Sequence, residues 1–338
     1  MNLTNNQWVL RRRPDGDIKA GDLEYVTSPV RDLADGEVLV RNVYLSLDPT
    51  NRIWMSDQDQ YMPPVDIGSP MRGGTVGVVE ASRSDHFKPG DIVNGGMNWE
   101  SYSILHDRVA RPAGPPPGLP LSATMSVLGA TGLTAYFGML DIGQPKPGET
   151  VVVSAAAGAV GSIAGQIAKL KGARVVGIAG GPAKCAWLTE DLGFDGAIDY
   201  KNEDVGAALD RLCPDGIDVN FENVGGSIMQ RVVERMNTFG RMPVCGLISG
   251  YNREGPEPGP SDFARVLMRR LTIKGFIIID YFPRAAEGFA DLGTWVSEGK
   301  LKWKDHIVDG LENAMDALGL LFTGAHDGKL MLRISEEP

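Results

Sequence analysis

The stretch that decides the fold is Val-Val-Val-Ser-Ala-Ala-Ala-Gly-Ala-Val-Gly at residues 151–161. Its three consecutive valines predict a buried strand, because uninterrupted β-branched runs are typical of parallel sheets. After Gly158, apolar side chains recur every three or four residues from Val160 to Leu170, which predicts one face of a helix. The sequence therefore predicts a strand, a glycine-containing turn and a helix, in that order.

This turn has the chemistry of a phosphate-binding turn. Gly158 lets the backbone approach a pyrophosphate, Gly161 lets the helix pack closely on the strand, and the helix N-terminus offers N–H groups and a positive dipole. Ala155 stands where the usual fingerprint has its first glycine, so the motif is A-x-x-G-x-x-G. We interpret it as a dinucleotide site because of its strand–turn–helix context. The alternative is a small-residue motif that only packs the helix.

The end of the next strand indicates which dinucleotide is bound. A site for NAD places Asp or Glu there to bind the ribose 2′-hydroxyl, whereas residues 179–181 are Ala-Gly-Gly. Lys184 follows at the start of the next helix. Its ammonium can donate a charge-assisted hydrogen bond to a 2′-phosphate, worth roughly 1.5–3 kcal/mol. We therefore predict NADPH as the cofactor; the alternative is a solvated lysine.

Outward from this stretch, strands and helices continue to alternate. The predicted strands are 174–179, 197–200, 217–222, 242–247 and 271–279, the predicted helices are 183–192, 203–212, 227–236 and 287–298, and the tail at 330–334 is again a strand. Strands this apolar predict a parallel sheet with helices on both faces, so the predicted fold class is α/β.

The first 110 residues are β-rich instead. Residues 37–44 alternate polar and apolar side chains, as a half-buried strand does, and residues 73–80 form a glycine-containing β-rich run. A turn at 88–91 leads into a further strand. Short strands at such spacing predict an antiparallel, barrel-like domain, which ends at the Pro/Gly-rich connector 111–118.

Length, charge and cysteine content limit the possible functions. With 338 residues the chain has room for two domains, since domains commonly span about 100–200 residues. The net charge of −10 argues against a nucleic-acid binder. The uncharged stretches 112–140 and 150–168 lack the sustained apolar character of a membrane span. Cys185, Cys213 and Cys245 show no metal-binding spacing, and no signal peptide is apparent, so we expect free thiols and a cytoplasmic location.

Several ordered motifs resemble one protein family over nearly the whole chain. They are Leu47-Asp-Pro49 with Asn51-Arg52, Met71-Arg-Gly-Gly74, Gly-Ala-Thr-Gly-Leu-Thr-Ala-Tyr at 129–136, the turn at 155–161, Glu222-Asn-Val-Gly-Gly226, Cys-Gly-Leu-Ile-Ser-Gly-Tyr-Asn at 245–252, and Lys274-Gly-Phe276. The chain resembles the zinc-independent, NADPH-dependent branch of the medium-chain dehydrogenases/reductases, and within it the prostaglandin reductase, leukotriene hydroxydehydrogenase and curcumin reductase-like double-bond reductases. The resemblance implies a Rossmann doubly wound parallel sheet at 128–294. It also implies a discontinuous, β-rich, GroES-like barrel domain formed by 1–127 and 295–338.

The resemblance also implies a cofactor site. The implied pyrophosphate turn is Ala157, Gly158, Ala159, Val160 and Gly161; the adenosine phosphate end is Gly181, Lys184 and Tyr200; the residues along the rest of the cofactor are Asn223, Cys245, Gly246, Leu247, Ile248, Ser249 and Tyr251; and the residues framing the nicotinamide are Phe276, Ile277 and Ile278.

Three positions depart from the pattern of this family. Gly181 stands where the family often has Ser, which removes one phosphate contact. Thr50 stands where the family usually has Tyr, which predicts a wider or more polar substrate pocket. Near the C-terminus, Asn-x-Gly-Lys reads His326-Asp-Gly-Lys329, so we place His326 where the family has a cofactor-contacting amide.

The residues present favour reduction of a conjugated double bond. Zinc alcohol dehydrogenases need Cys and His ligands with a G-H-E segment, but here that segment reads Gly73-Gly74-Thr75, so we predict no metal site. Hydride addition to the β-carbon of an α,β-unsaturated ketone or aldehyde leaves an enolate, which needs hydrogen-bond donors and a proton at the α-carbon. Tyr251 is the candidate catalytic donor; its phenol contacts either the carbonyl oxygen or the nicotinamide ribose. The candidate substrate contacts are Thr50, Tyr61, Met71 and Tyr281.

Two other functions are compatible with these motifs. One is an NADPH-dependent quinone oxidoreductase on the same scaffold, and the other is a protein that binds NADPH without turnover. We expect a small-molecule enone or enal as the partner, and neither nucleic acid nor a membrane. We also predict a homodimer, because the apolar strand 271–279 needs cover if it lies at a sheet edge, and the related reductases commonly dimerise through this region.

Overall fold

The computed structural model describes residues 3–253, 255 and 259–338. Contacts between residues divide the chain into two compact units. The β-rich unit comprises Met1–Met125, Asp305–His326 and Leu330–Pro338, and the sheet–helix unit comprises Ser126–Lys304 and Asp327–Lys329. Among the helices of the described residues, none combines the length and the apolar character that crossing a bilayer requires.

The β-rich unit begins with a series of strands. In chain order they are β1 (Thr4–Leu10), β2 (Leu23–Pro29), β3 (Glu37–Ser46), β4 (Arg72–Ser82), β5 (Ile92–Asn98), β6 (Tyr102–His106) and β7 (Arg111–Pro112), with helix α1 (Thr50–Trp54) after β3 and a 3₁₀ turn at Leu121–Thr124.

The sheet–helix unit alternates helices and strands, as the sequence predicts. Its strands are β8 (Thr150–Val153), β9 (Arg174–Ala179), β10 (Gly196–Asp199), β11 (Ile217–Phe221), β12 (Met236–Val244) and β13 (Thr272–Gly275). Its helices are α2 (Ala130–Phe137), α3 (Ala159–Leu170), α4 (Pro182–Ala186), α5 (Val205–Leu212), α6 (Gly226–Val233), α7 (Ala264–Arg269) and α8 (Ala285–Ser297). Its π-helical turns are Gly138–Gly143 and Trp187–Asp191, and its 3₁₀ turns are Ile248–Gly250 and Ile278–Arg284.

The chain then forms β14 (Asp305–Asp309), a 3₁₀ turn (Leu311–Asn313), helix α9 (Ala314–Thr323) and strand β15 (Lys329–Arg333). β15 pairs antiparallel with β3, which ties the C-terminus to the N-terminal strands. The antiparallel sheet has the order β14-β15-β3-β4-β5-β7, with β6 also paired to β3, while β1 and β2 form a separate ribbon. This confirms the predicted β-rich domain assembled from both ends of the chain.

The second sheet has the order β10-β9-β8-β11-β12-β13, and its neighbouring strands are parallel. Counted along the chain this order is 3-2-1-4-5-6, which is typical of doubly wound dinucleotide-binding sheets. Every residue of β8 is buried, as its valine run predicts. The strand order reverses between β8 and β11, so a ligand is expected at the carboxyl ends of these two strands.

Strand β3 differs from its predicted half-exposed state, because almost all of it is buried. Val40 belongs to one apolar cluster and Tyr44 to another. The polar Asn42 is buried as well, and its Nδ2 donates to Glu100 O at 2.8 Å. In the sequence, Asn42 cannot be distinguished from a polar residue that faces solvent, because its buried partner Glu100 is distant along the chain. The predicted half-burial of this strand is therefore wrong.

Strand β13 is shorter than the predicted 271–279. It ends at Gly275, and the ring of Phe276 then packs edge-on against Phe221 with centroids 6.4 Å apart. The chain continues as a 3₁₀ turn at Ile278–Arg284, so Phe276 packs against a core and the residues after it do not extend the sheet. The predicted domain boundary at 294/295 falls inside α8, whereas the contacts change units at 304/305.

Candidate cofactor and active site

The turn between β8 and α3 fits a pyrophosphate group. Gly158 precedes α3, and its N–H donates to Ala155 O at 2.9 Å. Ala155 adopts φ 48°, the left-handed conformation that a glycine would adopt easily. A Cβ on Gly161 would lie 2.4 Å from Ala155 O, so only glycine lets the helix start this close to the strand. No side chain of the described residues caps α3, which leaves its first N–H groups for an anion.

The end of β9 presents a lysine near a tight turn. Gly181 has φ 96°, and its N–H donates to Asp199 Oδ1 at 2.7 Å. The Lys184 side chain is only 17% exposed, and its Nζ lies 4.0 Å from Asp327 Oδ1. Burial lowers the pKa of Lys184, and the Asp327 carboxylate opposes that shift. The exposed Tyr200 ring packs across Gly180 in the same turn.

Glu222 joins the ends of two central strands. It follows β11 directly and is 0% exposed. Its Oε1 accepts hydrogen bonds from Ser154 Oγ at 2.8 Å, Val224 N at 2.7 Å and Gly225 N at 2.9 Å. Its Oε2 accepts from Asn220 Nδ2 at 2.9 Å. Because Ser154 follows β8, this one carboxylate fixes both loops at the point where the strand order reverses.

The loop after β12 is hydrogen-bonded to the loop after β11. The N–H groups of Cys245 and Gly246 both donate to the backbone oxygen of Glu222, at 2.9 and 3.2 Å. Further along, Ile248 N donates to Asn223 O at 3.2 Å. The two loops therefore hold the predicted cofactor residues side by side at the carboxyl edge of the sheet.

Two predicted site residues complete this arrangement through their side chains. Asn223 Nδ2 donates to Ser154 O at 2.7 Å, which anchors the loop after β11 to the end of β8. The Tyr251 phenol oxygen accepts a hydrogen bond from Leu247 N at 3.1 Å. Tyr251 therefore closes the 247–251 segment, and its hydroxyl is held at a fixed place beside Gly246.

All three cysteines carry free thiols, as expected from the sequence. Burial, together with the charge of Glu222, raises the pKa of Cys245 to about 12. Burial is also the largest cause that raises the pKa of Cys185 and of Cys213 to about 11. These thiols are therefore protonated at neutral pH and are poor nucleophiles.

Phe276 and Tyr281 use their rings for packing. Phe276 is buried against Phe221. Tyr281 stacks on Phe137 with ring centroids 4.6 Å apart, and burial followed by the charge of Asp141 raises its pKa. The Phe276 ring is therefore occupied by packing, and the role of segment 276–278 beside the nicotinamide stays a prediction.

The predicted substrate residues of the β-rich unit have two different environments. Thr50 Oγ1 and the Tyr61 hydroxyl are hydrogen-bonded to each other, and Trp54 Nε1 donates to the Tyr61 oxygen at 3.1 Å. Tyr61 is 41% exposed, so it can contact a ligand. Met71 is 0% exposed and lies in the apolar core of the unit, so its side chain is not available to a ligand in this structure.

The segment that carries a zinc ligand in zinc alcohol dehydrogenases has glycines here. A Cβ on Gly73 would lie 2.6 Å from Leu45 Cδ1 and 2.8 Å from Trp99 Cδ1, so that space is filled by apolar side chains. Across the described residues, no group of three or more His, Cys, Asp or Glu side chains is arranged to hold a metal ion.

His326 is the last residue before the chain re-enters the sheet–helix unit. It belongs to the β-rich unit, and its Nδ1 lies 3.1 Å from Leu320 O. The following residue, Asp327, is assigned to the sheet–helix unit, where it faces Lys184.

The sequence motifs indicate no individual role for Ser154, Asp199, Glu222 or Asp327. Glu222 has the clearest signal, because a carboxylate directly after an apolar strand needs hydrogen-bond donors if it is buried. The partners of Asp199 and Asp327 are distant in sequence, at Gly181 and Lys184, so spacing gives no indication of these contacts.

Two family models match the chain. One, described as the N-terminal domain of oxidoreductase, covers residues 6–112, and the other, described as zinc-binding dehydrogenase, covers residues 159–294. Together they span the first strands of the β-rich unit and most of the parallel sheet.

Known relatives align over nearly their whole lengths. The chain is 45% identical over 336 residues to the NADPH-dependent curcumin reductase of Escherichia coli (strain K12), covering 98% of this chain and 97% of the relative. It is 40% identical over 331 residues to prostaglandin reductase 1 of Rattus norvegicus, covering 96% and 98%. The crystal structure of CurA from Vibrio vulnificus in complex with NADPH superposes with a TM-score of 0.93 at 44% identity, covering 98% of this chain and 100% of that chain.

Proposed function

Because this chain belongs to the NADPH-dependent medium-chain dehydrogenase/reductase family, we propose that it reduces the carbon–carbon double bond of α,β-unsaturated ketones and aldehydes with NADPH. The observation that carries this proposal is the end of β9, where Ala-Gly-Gly at 179–181 and then Lys184 replace an acidic residue. A carboxylate at the end of β9 would repel a 2′-phosphate, whereas the Lys184 ammonium attracts one.

The residues proposed to hold the cofactor follow the edge of the sheet. They are Ala157, Gly158, Ala159, Val160 and Gly161 for the pyrophosphate; Gly181, Lys184 and Tyr200 for the adenosine end; and Asn223, Cys245, Gly246, Leu247, Ile248, Ser249, Tyr251, Phe276, Ile277, Ile278 and His326 for the remainder. Support comes from the close start of α3 and from the hydrogen bonds that join the loops after β8, β11 and β12.

When bound, the cofactor supplies a hydride to the β-carbon of the substrate. The protein then stabilises the negative charge on the carbonyl oxygen with a hydrogen-bond donor, a role we assign to the Tyr251 hydroxyl. Leu247 N–H donates to this phenol oxygen, which polarises the O–H bond and favours donation to a further acceptor. Thr50, Tyr61 and Tyr281 are the proposed substrate contacts. Met71 is the fourth predicted position, and its side chain is buried in the core of the β-rich unit.

The proposed chemistry needs no metal from this chain. At the segment that would carry a zinc ligand the residues are Gly73 and Gly74, which have no donor side chain. The conjugated carbonyl is itself electrophilic at its β-carbon, so orientation and one donor to its oxygen suffice for hydride addition. Transfer of a proton to the α-carbon then completes the reduction.

The test compares substrates and cofactors in one assay of NADPH oxidation. Benzalacetone and menadione represent enones and quinones, and turnover of benzalacetone is the expected result. Lys184→Ala should raise the KM for NADPH about ten- to hundredfold and leave NADH kinetics unchanged, because only NADPH carries the 2′-phosphate. Lys146→Ala, which removes an exposed lysine of the same unit, is the control. Turnover confined to menadione, or no turnover with tight NADPH binding, would contradict the proposal.

We also propose that the protein is a homodimer. β13 lies at one end of the parallel sheet and all of its residues are exposed. The neighbouring α7 exposes Leu267, at 70%, and Met268. An uncovered strand edge beside exposed apolar side chains favours pairing with a second copy. A cytoplasmic location likewise remains our proposal, supported by the three free thiols.

A further inference from the structure

A short C-terminal segment lies against the phosphate turn. Residues 327–329 are assigned to the sheet–helix unit, although the residues on either side are not. Gly328 forms a parallel bridge with Gly158, and its N–H donates to Ala157 O at 3.2 Å. Gly328 has φ 64°, and a Cβ there would lie 2.1 Å from Lys304 O. Only glycine permits this approach, so the adjacent Asp327 is held close to the turn.

Asp327 lies close to Lys184, the lysine that we assign to the 2′-phosphate. Its Oδ1 lies 4.0 Å from Lys184 Nζ, and its side chain is 63% exposed while that of Lys184 is largely buried. Lys201 crosses the same turn, since its Cε lies 2.9 Å from where a Cβ of Gly180 would be. The adenosine end therefore combines two ammonium groups with two carboxylates. Asp199 accepts the Gly181 N–H, and Asp327 faces the Lys184 ammonium.

We propose that Asp327 reduces the discrimination between NADPH and NADH. This inference rests on the proposed placement of the 2′-phosphate at Lys184. A phosphate that approaches the Lys184 ammonium must also approach the Asp327 carboxylate, which repels it and competes for the same cation. The site thus combines a lysine, the kind of residue that binds the 2′-phosphate of NADP, with a carboxylate, the kind that binds the ribose of NAD.

The same carboxylate does not oppose an adenosine without the extra phosphate. A ribose 2′-hydroxyl is neutral, and a carboxylate is the acceptor that NAD sites use for it. Removing the charge of Asp327 should therefore favour the phosphorylated ligand selectively. Because Asp327 faces solvent, the effect is largest at low salt and is screened as ionic strength rises.

The experiment uses fragments of the two cofactors, so that it needs no turnover. Calorimetry measures the Kd of 2′,5′-ADP and of 5′-AMP for the full chain and for Asp327→Asn, at low and at high salt. We expect Asp327→Asn to tighten 2′,5′-ADP about five- to tenfold at low salt and to change 5′-AMP less than about twofold. Asp191→Asn, an exposed position of the same unit with the same change in net charge, is the control and should alter neither ligand.

Unchanged or weaker binding of 2′,5′-ADP by Asp327→Asn overturns the inference. A parallel titration of Lys184→Ala separates this failure from that of the proposed function. If Lys184→Ala weakens 2′,5′-ADP while Asp327→Asn gives no gain, only the role of Asp327 is wrong. If Lys184→Ala leaves 2′,5′-ADP unchanged, the 2′-phosphate site is wrong and the role of Asp327 fails with it.

Discussion

Replacing Glu222 tests whether one buried carboxylate holds the cofactor loops together. Glu222→Ala removes the acceptor for Ser154 Oγ, Val224 N, Gly225 N and Asn220 Nδ2. A buried donor left without an acceptor costs about 1–3 kcal/mol, so the loss of four such bonds should lower the free energy of unfolding by about 4–12 kcal/mol. The cavity left by the side chain adds to this cost.

Glu222→Gln is the milder variant, and the structure predicts how it is accommodated. Its amide oxygen can keep the contacts of Oε1 as neutral hydrogen bonds, which are weaker by about 1 kcal/mol each than those to a carboxylate. The new N–H groups of the glutamine need an acceptor. Asn220 Oδ1 has no hydrogen-bond partner in the described structure, and it can accept one of these N–H groups if the Asn220 amide rotates. We therefore expect a loss of about 1–3 kcal/mol.

Calorimetry and NADPH titration measure these effects separately. At about 2–4 °C per kcal/mol, the thermal midpoint should fall by about 2–12 °C in Glu222→Gln and further in Glu222→Ala. The Kd for NADPH should rise about tenfold in Glu222→Gln while far-ultraviolet circular dichroism stays unchanged. Glu190→Gln, at an exposed position, should change neither quantity. An unaltered midpoint and Kd in Glu222→Gln would show that the loops do not depend on this carboxylate.

Three further variants address other parts of the protein. Gly161→Ala places a methyl group where Ala155 O lies 2.4 Å away, so NADPH should bind at least about tenfold more weakly in a titration; unchanged binding would contradict the close packing of α3. Leu267→Glu should convert the proposed dimer to monomer in analytical ultracentrifugation, and a dimer that persists would move the interface elsewhere. Tyr251→Phe removes the hydroxyl that receives Leu247 N–H, so kcat should fall about ten- to hundredfold with a smaller change in the KM for NADPH; an unchanged kcat would exclude the phenol as the donor.

The sequence predicts the sheet–helix unit well because its signals are local. The valine run at 151–153 and the apolar period after Gly158 specify a strand and a helix without reference to the rest of the chain. Strand β9 agrees with its predicted bounds for the same reason. The predicted bounds are less accurate for β13. There the ring of Phe276 packs against Phe221, a contact between residues far apart in sequence.

The arrangement of the site is harder to predict than its residue types. The motif around 222–226 indicates a cofactor loop, but the four donors that surround the Glu222 carboxylate come together only in the folded sheet. Met71 is a second example, because its complete burial in the core of the β-rich unit has no signal in the motif that contains it. Contacts set by tertiary packing have no period in the sequence, so pattern analysis does not detect them.

The protonated state of the three cysteines affects how the protein reacts with its proposed substrates. Conjugated enals and enones are themselves alkylating agents, and thiolates rather than thiols add to their β-carbons. With pKa values of about 11 for Cys185 and Cys213 and about 12 for Cys245, roughly one thiol in a thousand or fewer is ionised at pH 8. Burial, aided at Cys185 and Cys245 by nearby carboxylates, therefore leaves these thiols poorly reactive toward the very electrophiles that the protein is proposed to consume.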